Sequence, residues 1–181
     1  MTRRGSGWIG GALLALATLA ATPTRAETGA LEQAVKATYL YKLAPFVAWP
    51  PGAFNATDDP LVICVQGADA FAGLVDRAAA GQRVGPHPVL VRRLARLERT
   101  SGCHVAYVAG SQAQSTAQAL AAVSGSPVLT VTDAERGPAR GIVHLVLNSG
   151  KVRFSVNIGQ AEAGGLAVSS KLLALALEVS R

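Results

Sequence analysis

The chain has 181 residues, 50% of them hydrophobic, with 17 Lys or Arg against 11 Asp or Glu and a net charge of +6. That length suits one domain with a real core and excludes an array of domains. Only 5% of the residues are aromatic, and part of the basic excess sits at the N-terminus, so the basic patch interleaved with aromatics that a nucleic-acid binder needs is missing.

Residues 1–26 read as a secretory leader. Arg3 and Arg4 open it, 8–21 is an uncharged apolar and small-residue run, and Thr24-Arg25-Ala26 places small residues at both recognition positions of a cut after Ala26. The run is too short for a stable membrane span, although an N-terminal anchor is the competing reading. An Arg pair fits twin-arginine export, but nothing after Arg4 adds to that signal, so general export is expected. No Cys lies near the cut, which argues against a lipoprotein. The expectation is a cleaved signal over 1–26 and one soluble, exported domain over 27–181, carrying 14 basic and 11 acidic residues, about +3.

Within that domain, apolar positions at three-to-four spacing predict a helix over 31–46, with Glu32 placed early to complement the helix dipole. Pro45 and then Trp49-Pro50-Pro51-Gly52 end it. An unbroken apolar run at 61–65 predicts a strand covered on both faces. Asp69 is placed to cap a helix through Phe71, Leu74, Val75 and Ala78. A turn over 81–88 leads to a strand at 89–91. Another buried strand is expected at 103–109, then a helix from Ser111 to about Val123 and a strand at 128–131. Alternation over 142–147 and 152–158 across Asn148-Ser149-Gly150 predicts a β-hairpin at the sheet's edge. A helix from Ser169, carrying Leu172, Leu173, Leu175, Ala176 and Val179, closes the chain. Strands alternating with helices argue for an α/β single-domain sandwich: a mostly parallel, mixed sheet with helices on both faces and a β-hairpin in the C-terminal half.

The two cysteines, Cys64 and Cys103, fit neither a C-x-x-C redox motif nor zinc-knuckle spacing. In an oxidising compartment two thiols read first as one disulfide, and two separate buried thiols are the alternative. Closing such a loop contributes roughly 4 kcal/mol in the chain-entropy account.

Chemistry is thin. His87 lies between prolines in a turn, and His104 and His144 sit on predicted strands without a second ligand at metal spacing. No G-x-S-x-G elbow occurs, and Gly110-Ser111 and Ser169-Ser170-Lys171 look like helix starts. Among scattered acids, only Asp133 ends a strand, where α/β folds place ligands. The glycine-rich stretches match neither a dinucleotide fingerprint nor a phosphate-binding loop. The densest basic cluster, Arg92, Arg93, Arg96 and Arg99, reads as a solvated face, with an acidic partner surface as the alternative. By inventory the chain is not an enzyme and calls for no cofactor and no metal.

Several stretches in register resemble one family. They are Y-L-Y-K-L-A-P-F-V-A-W at 39–49 running into Pro50-Pro51, P-L-V-I-C-V-Q-G-A-D-A-F at 60–71, G-C-H-V-A-Y-V-A-G-S at 102–111 and P-V-L-T-V-T-D at 127–133. K-V-R-F-S-V-N at 151–157 and G-L-A-V-S-S-K-L-L at 165–173 follow. Their order and spacing are similar to the YfiR family of periplasmic proteins over essentially the whole mature chain.

The resemblance implies a non-enzymatic regulator with an α/β sandwich fold that tends to dimerise. Such a protein inhibits an inner-membrane diguanylate cyclase by binding its periplasmic sensor domain, lowering cyclic di-GMP and biofilm formation, and a YfiB-like outer-membrane lipoprotein can draw it away. Cys64 and Cys103 match one family disulfide. The second pair of the family's characterised type has no counterpart, since no Cys follows Cys103, which puts a redox response through that bridge in doubt. Ser155 and His144 also depart from the family pattern, standing where Glu and an aromatic or apolar residue are usual.

Candidate partner contacts are Tyr39, Tyr41, Phe46, Trp49 and Phe54, because aromatics dominate interface hot spots. The competing reading is that these rings pack the first helix on the sheet. A periplasmic small-molecule binding protein, with its ligand at the strand ends near Gly67 or Asp133, is the alternative function.

Overall fold

A computed structural model describes Thr2 and residues 25–181. The leader read over 1–26 therefore lies outside the described residues, apart from Thr2 and the backbone of Arg25 and Ala26. In chain order the elements are α1 (Arg25–Lys42), a 3-10 turn (Ala44–Phe46), β1 (Val47–Ala48), β2 (Leu61–Gln66), α2 (Asp69–Ala79), β3 (Arg83–Val84), β4 (His87–Leu94) and β5 (Val105–Val108). Then come α3 (Thr116–Ala122), β6 (Leu129–Asp133), β7 (Val143–Asn148), β8 (Lys151–Asn157), α4 (Ile158–Ala163), β9 (Ala167–Val168), α5 (Ser170–Leu173) and β10 (Glu178–Ser180).

Eight strands form one sheet in the order β10-β8-β7-β6-β5-β2-β4-β3, while β1 pairs with β9 in a separate antiparallel ladder. The large sheet is parallel except at β7–β8 and β3–β4. Every residue of β2, β5 and β6 is buried. Unbroken apolar runs are what a sheet covered on both faces demands, because neither set of alternating side chains meets water.

The alternation sorts those side chains into two cores. Leu61, Ile63, Val65, Val105, Tyr107, Leu129, Val131, Val143 and Leu145 join α1 and α2 in the larger cluster. Val62, Cys64, Ala106 and Val108 turn the other way, onto Ala119 and Val123 of α3 and its flank. Phe71 of α2 meets Tyr107 with ring centroids 4.3 Å apart. Full burial of side chains this large contributes about 1.5–3 kcal/mol each. The expected mixed α/β sandwich with helices on both faces is what the structure shows.

Several expected details differ. The first helix ends at Lys42, since Pro45 permits only a 3-10 turn afterwards. Ala68, not Asp69, holds the N-cap position of α2. The expected turn at 81–88 contains a short hairpin, β3–β4, and β4 extends well beyond 89–91. The third helix begins from Ser115, whose side chain forms a capping box with Gln118, so Ser111 lies in the preceding loop. The expected closing helix is confined to Ser170–Leu173, after which the chain extends and β10 adds to β8 in parallel. That strand takes the sheet's edge, which leaves the β7–β8 hairpin one position inside it.

Candidate functional site

The strand ends where α/β folds bind ligands are filled by the protein's own side chains. Gln66, at the end of β2, accepts from Gly110 N at 2.9 Å and donates to the Gln114 carbonyl at 3.0 Å. Gln114 in turn clasps both backbone groups of Leu97, at 2.7 and 3.0 Å. Gly67 faces Gly110 so closely that a Cβ there would come within 1.8 Å of the Gly110 oxygen. No side chain larger than glycine fits at position 67.

Asp133, at the end of β6, is 1% exposed and lies 2.8 Å from the ammonium of Lys36, whose side chain is wholly buried. Glu32, one turn earlier on α1, approaches the same ammonium at 2.5 Å, and Glu135 at 3.1 Å. Tyr107 adds its hydroxyl to Asp133 at 3.4 Å. Burial pulls the Lys36 ammonium down, but the hydrogen bonds of Asp133, Glu32 and Glu135 and the charge of Asp133 outweigh it, raising its pKa above the ordinary lysine range. Burial, with the Asp133 charge, pushes the Tyr107 phenol up to about 12. Asp133 is thus an anchor for α1 and not an open ligand site.

Four of the five aromatics named from the sequence fall into two pairs, and Tyr41 stands apart. Trp49 and Phe54 belong to a clamp in which Phe54 lies between the rings of His87 and His104, at 4.0 and 4.1 Å. Trp49 meets Phe54 edge-on and donates from Nε1 to the Pro127 carbonyl at 3.1 Å. His104 Nδ1 accepts from Val62 N, so Nε2 is the protonated nitrogen and donates to the Ala53 carbonyl. Burial lowers the His104 pKa, as it does that of His144, where the Arg140 charge adds to the effect. His144 Nδ1 lies 2.9 Å from the Thr132 hydroxyl, and His144 faces Ser155 across β7–β8.

Tyr39 and Phe46 line a different feature, a shallow apolar groove along the outer side of α1. Leu31, Val35 and Tyr39 recur at four-residue spacing, which stacks them on one helix stripe. At its start, a hollow of about 800 Å³ lies between Leu31 and Val35 on one side and Leu147 and Val152 on the other. Tyr39, Phe46, Phe154, Leu172 and Leu175 continue it towards α5. Leu31 is 65% exposed, Leu175 58% and Leu147 50%. Tyr39 is held from below by Phe154, ring centroids 6.1 Å apart. Tyr41 lines neither hollow and packs against the larger core. Leu31, Val35, Leu147 and Leu175 were not singled out from the sequence, although the stripe through Tyr39 was a signal for the first two.

The four clustered arginines are exposed, and each also bonds to a group of its own chain. Arg92 donates to the Ser101 carbonyl, Arg93 pairs with Asp76 at 2.5 Å, Arg96 donates to the Ala113 carbonyl and Arg99 to that of Ser124. The Cys64–Cys103 disulfide is formed, joining β2 to the segment before β5. Among the described residues no three His, Cys, Asp or Glu gather as a metal site, and no helix is long and apolar enough to cross a membrane.

A model of the YfiR/HmsC-like family matches residues 33–177. No curated protein matches the chain.

Proposed function

Because the chain belongs to the YfiR/HmsC-like family, we propose that it is a non-enzymatic periplasmic regulator that binds the periplasmic sensor domain of an inner-membrane diguanylate cyclase. Binding holds the cyclase inactive and lowers cyclic di-GMP signalling and biofilm formation. Cleavage after Ala26 delivers the domain over 27–181 to that compartment, and the disulfide suits its oxidising chemistry.

The observation that carries this reading is the groove along α1. Leu31, Leu147 and Leu175 are half or more exposed, and apolar surface gathered in one groove is a feature of docking sites. A helix or extended segment of the cyclase would lay its apolar face beside Leu31, Val35 and Tyr39, with Leu147 and Leu175 as the far wall. The Trp49–Phe54 clamp has its rings committed internally and shapes the surface without supplying its anchors.

Inhibition by occupancy requires differential affinity. Moving the cyclase from almost wholly active to almost wholly inactive takes about 5.5 kcal/mol between its two states. A YfiB-like outer-membrane lipoprotein would reverse this by competing for the regulator, and a second copy of the chain would be the partner in a homodimer.

The test is intracellular cyclic di-GMP in the source organism with the gene deleted and then restored. A rise on deletion, reversed by the wild type but not by Leu31→Lys/Leu147→Lys, supports the reading. An unchanged level in cells that normally make the protein sinks it.

A further inference from the structure

Residues 49–60, between β1 and β2, form neither helix nor strand. Turns of their own hold them in shape. Ala53 N donates to the Pro50 carbonyl, and the Asp59 carboxylate accepts from Asn55 N and Ala56 N at 2.8 and 3.0 Å. Among the described residues, three hydrogen bonds tie this strap to the rest of the protein. Trp49 Nε1 donates to the Pro127 carbonyl at 3.1 Å, His104 Nε2 to that of Ala53 at 2.9 Å and His87 Nδ1 to that of Asp59 at 2.7 Å. Two of the three come from histidine rings. Phe54 of the strap is stacked between those same rings, 6° from the plane of His104 and 20° from that of His87.

The two histidines hold the strap on different terms. A carbonyl only accepts, so His87 Nδ1 already carries a proton, and its bond to Asp59 survives a second proton on the ring. His104 has no such freedom. Its Nε2 must donate to Ala53 O, while Nδ1 accepts from Val62 N at 3.0 Å and must be bare. The backbone keeps the ring in place, because His104 N donates to Val62 O at 2.9 Å and His104 O accepts from Leu129 N at 2.8 Å. A proton on Nδ1 sets two N–H groups against each other and leaves the Val62 donor unmet, which costs about 1–3 kcal/mol. The pull of a charged ring towards the face of Phe54 offsets only part of that, about 0.5–1 kcal/mol near the surface. The charged and titratable groups facing His104 are His87 and Asp59, with Arg99 across the adjoining cleft. Burial opposes a proton on His104 most strongly and the His87 charge adds to it, while Asp59 favours one with a carboxylate already engaged by Asn55 N and Ala56 N.

We propose that His104, Phe54 and His87 form an acid-opened latch: a proton on His104 Nδ1 releases Ala53 and Phe54, and the strap over 49–60 swings free of a sheet that stays folded. The Cys64–Cys103 bridge fixes the residue next to His104, which confines the opening to the strap. Through β1 the strap continues directly from Phe46, which lines the α1 groove. The latch is nonetheless a property of the strap and holds whatever the groove binds.

The experiment is hydrogen exchange by NMR at the Trp49 indole N–H in a Trp8→Phe chain, where Trp49 is the one tryptophan left. The latched ring binds fewer protons than the free one. The opening constant, corrected for intrinsic exchange, should therefore rise as pH falls below about 6.5, by up to about tenfold per pH unit. His104→Gln can still accept from Val62 and donate to Ala53 but takes up no proton, so it should make the opening independent of pH. His87→Gln should leave the slope in place. At every pH the Trp49 indole should open at least about tenfold more often than the buried amide of Ile63 in β2, the mark of a local event. An opening constant unchanged between about pH 7.5 and 5.5 overturns the proposal. So does an unaltered slope in His104→Gln, a slope lost in His87→Gln, or an indole that opens only together with Ile63.

Discussion

The ammonium of Lys36 on α1 lies 2.8 Å from the carboxylate of Asp133 at the end of β6, and both side chains are out of contact with water. The pair fixes the first helix against the middle of the sheet, which is what holds the outer stripe of α1 in a set relation to the β7–β8 hairpin. Removing one partner of a buried ion pair leaves an uncompensated charge, which costs about 3–5 kcal/mol. Lys36→Met should lose about that much in urea unfolding. Adding Asp133→Asn should restore a large part of it, and a double variant no more stable than Lys36→Met would show that the charge was not the cause.

The Cys64–Cys103 bond spans 39 positions in the chain. Reduction, or Cys64→Ser, should lower the melting temperature, with a loss of roughly 4 kcal/mol in the chain-entropy account less any relief in the folded state. Melting the wild type with and without reductant decides it. Coincident curves would mean that the bridge adds nothing to this fold.

The groove predicts a separation of stability from function. Leu31→Lys and Leu147→Lys remove exposed side chains, so each should change unfolding free energy by no more than about 0.5 kcal/mol. Binding of the cyclase sensor domain should nonetheless fall by tenfold or more in the double variant, as expected for an interface anchor. Leu90→Lys, exposed on β4 away from the groove, serves as the control and should bind as wild type. Equal loss in the control would point to general surface charge and away from this groove.

His104 and His144 both have folded pKa values below the ordinary 6.5, through burial. Their neutral forms are favoured in the folded state, so the unfolded chain binds more protons as pH falls. Stability should be full above about pH 6.5 and decline below it, until the depressed folded pKa values are passed, with a slope of at most about 1.4 kcal/mol per pH unit for each histidine. His104→Gln should flatten the fall in melting temperature between pH 7 and 5. An unaltered slope would remove His104 from the account.

Legibility in the sequence followed the source of each element's stability. β2 and β5 were readable because a strand covered on both faces must be apolar at every position, and their runs have no other explanation. β10 was hidden because Glu178, Val179 and Ser180 are all exposed and gain mainly hydrogen bonds to β8, which leave no hydrophobic period. The leucines around it mimic a helix. The starts of α3 and α4 were marked by side-chain caps, Ser115 with Gln118 and Asn157 accepting from Gln160 N, but neither is separable from ordinary polar residues without the backbone. Half of the Lys36 site was visible as the Glu32–Lys36 spacing on one helix. The other half, Asp133, lies far along the chain, and only the packing of α1 over β6 joins them. The aromatic segment reads as candidate partner contacts, with packing as the competing reading, and the rings alone could not reveal that Phe54 turns into a histidine clamp while Tyr39 faces the groove.

The small ladder between β1 and β9 sets a condition on how this molecule is made. Val47 pairs with Val168 and Ala48 with Ala167, across most of the described chain. Pairings of such long sequence separation form late and slowly, because their loop-closure entropy must be met before any contact rewards it. Synthesis runs from the N-terminal end, so β1 waits exposed until β9 arrives. A chain whose first strand finds its partner only near its end stays incomplete until most of it has reached one place.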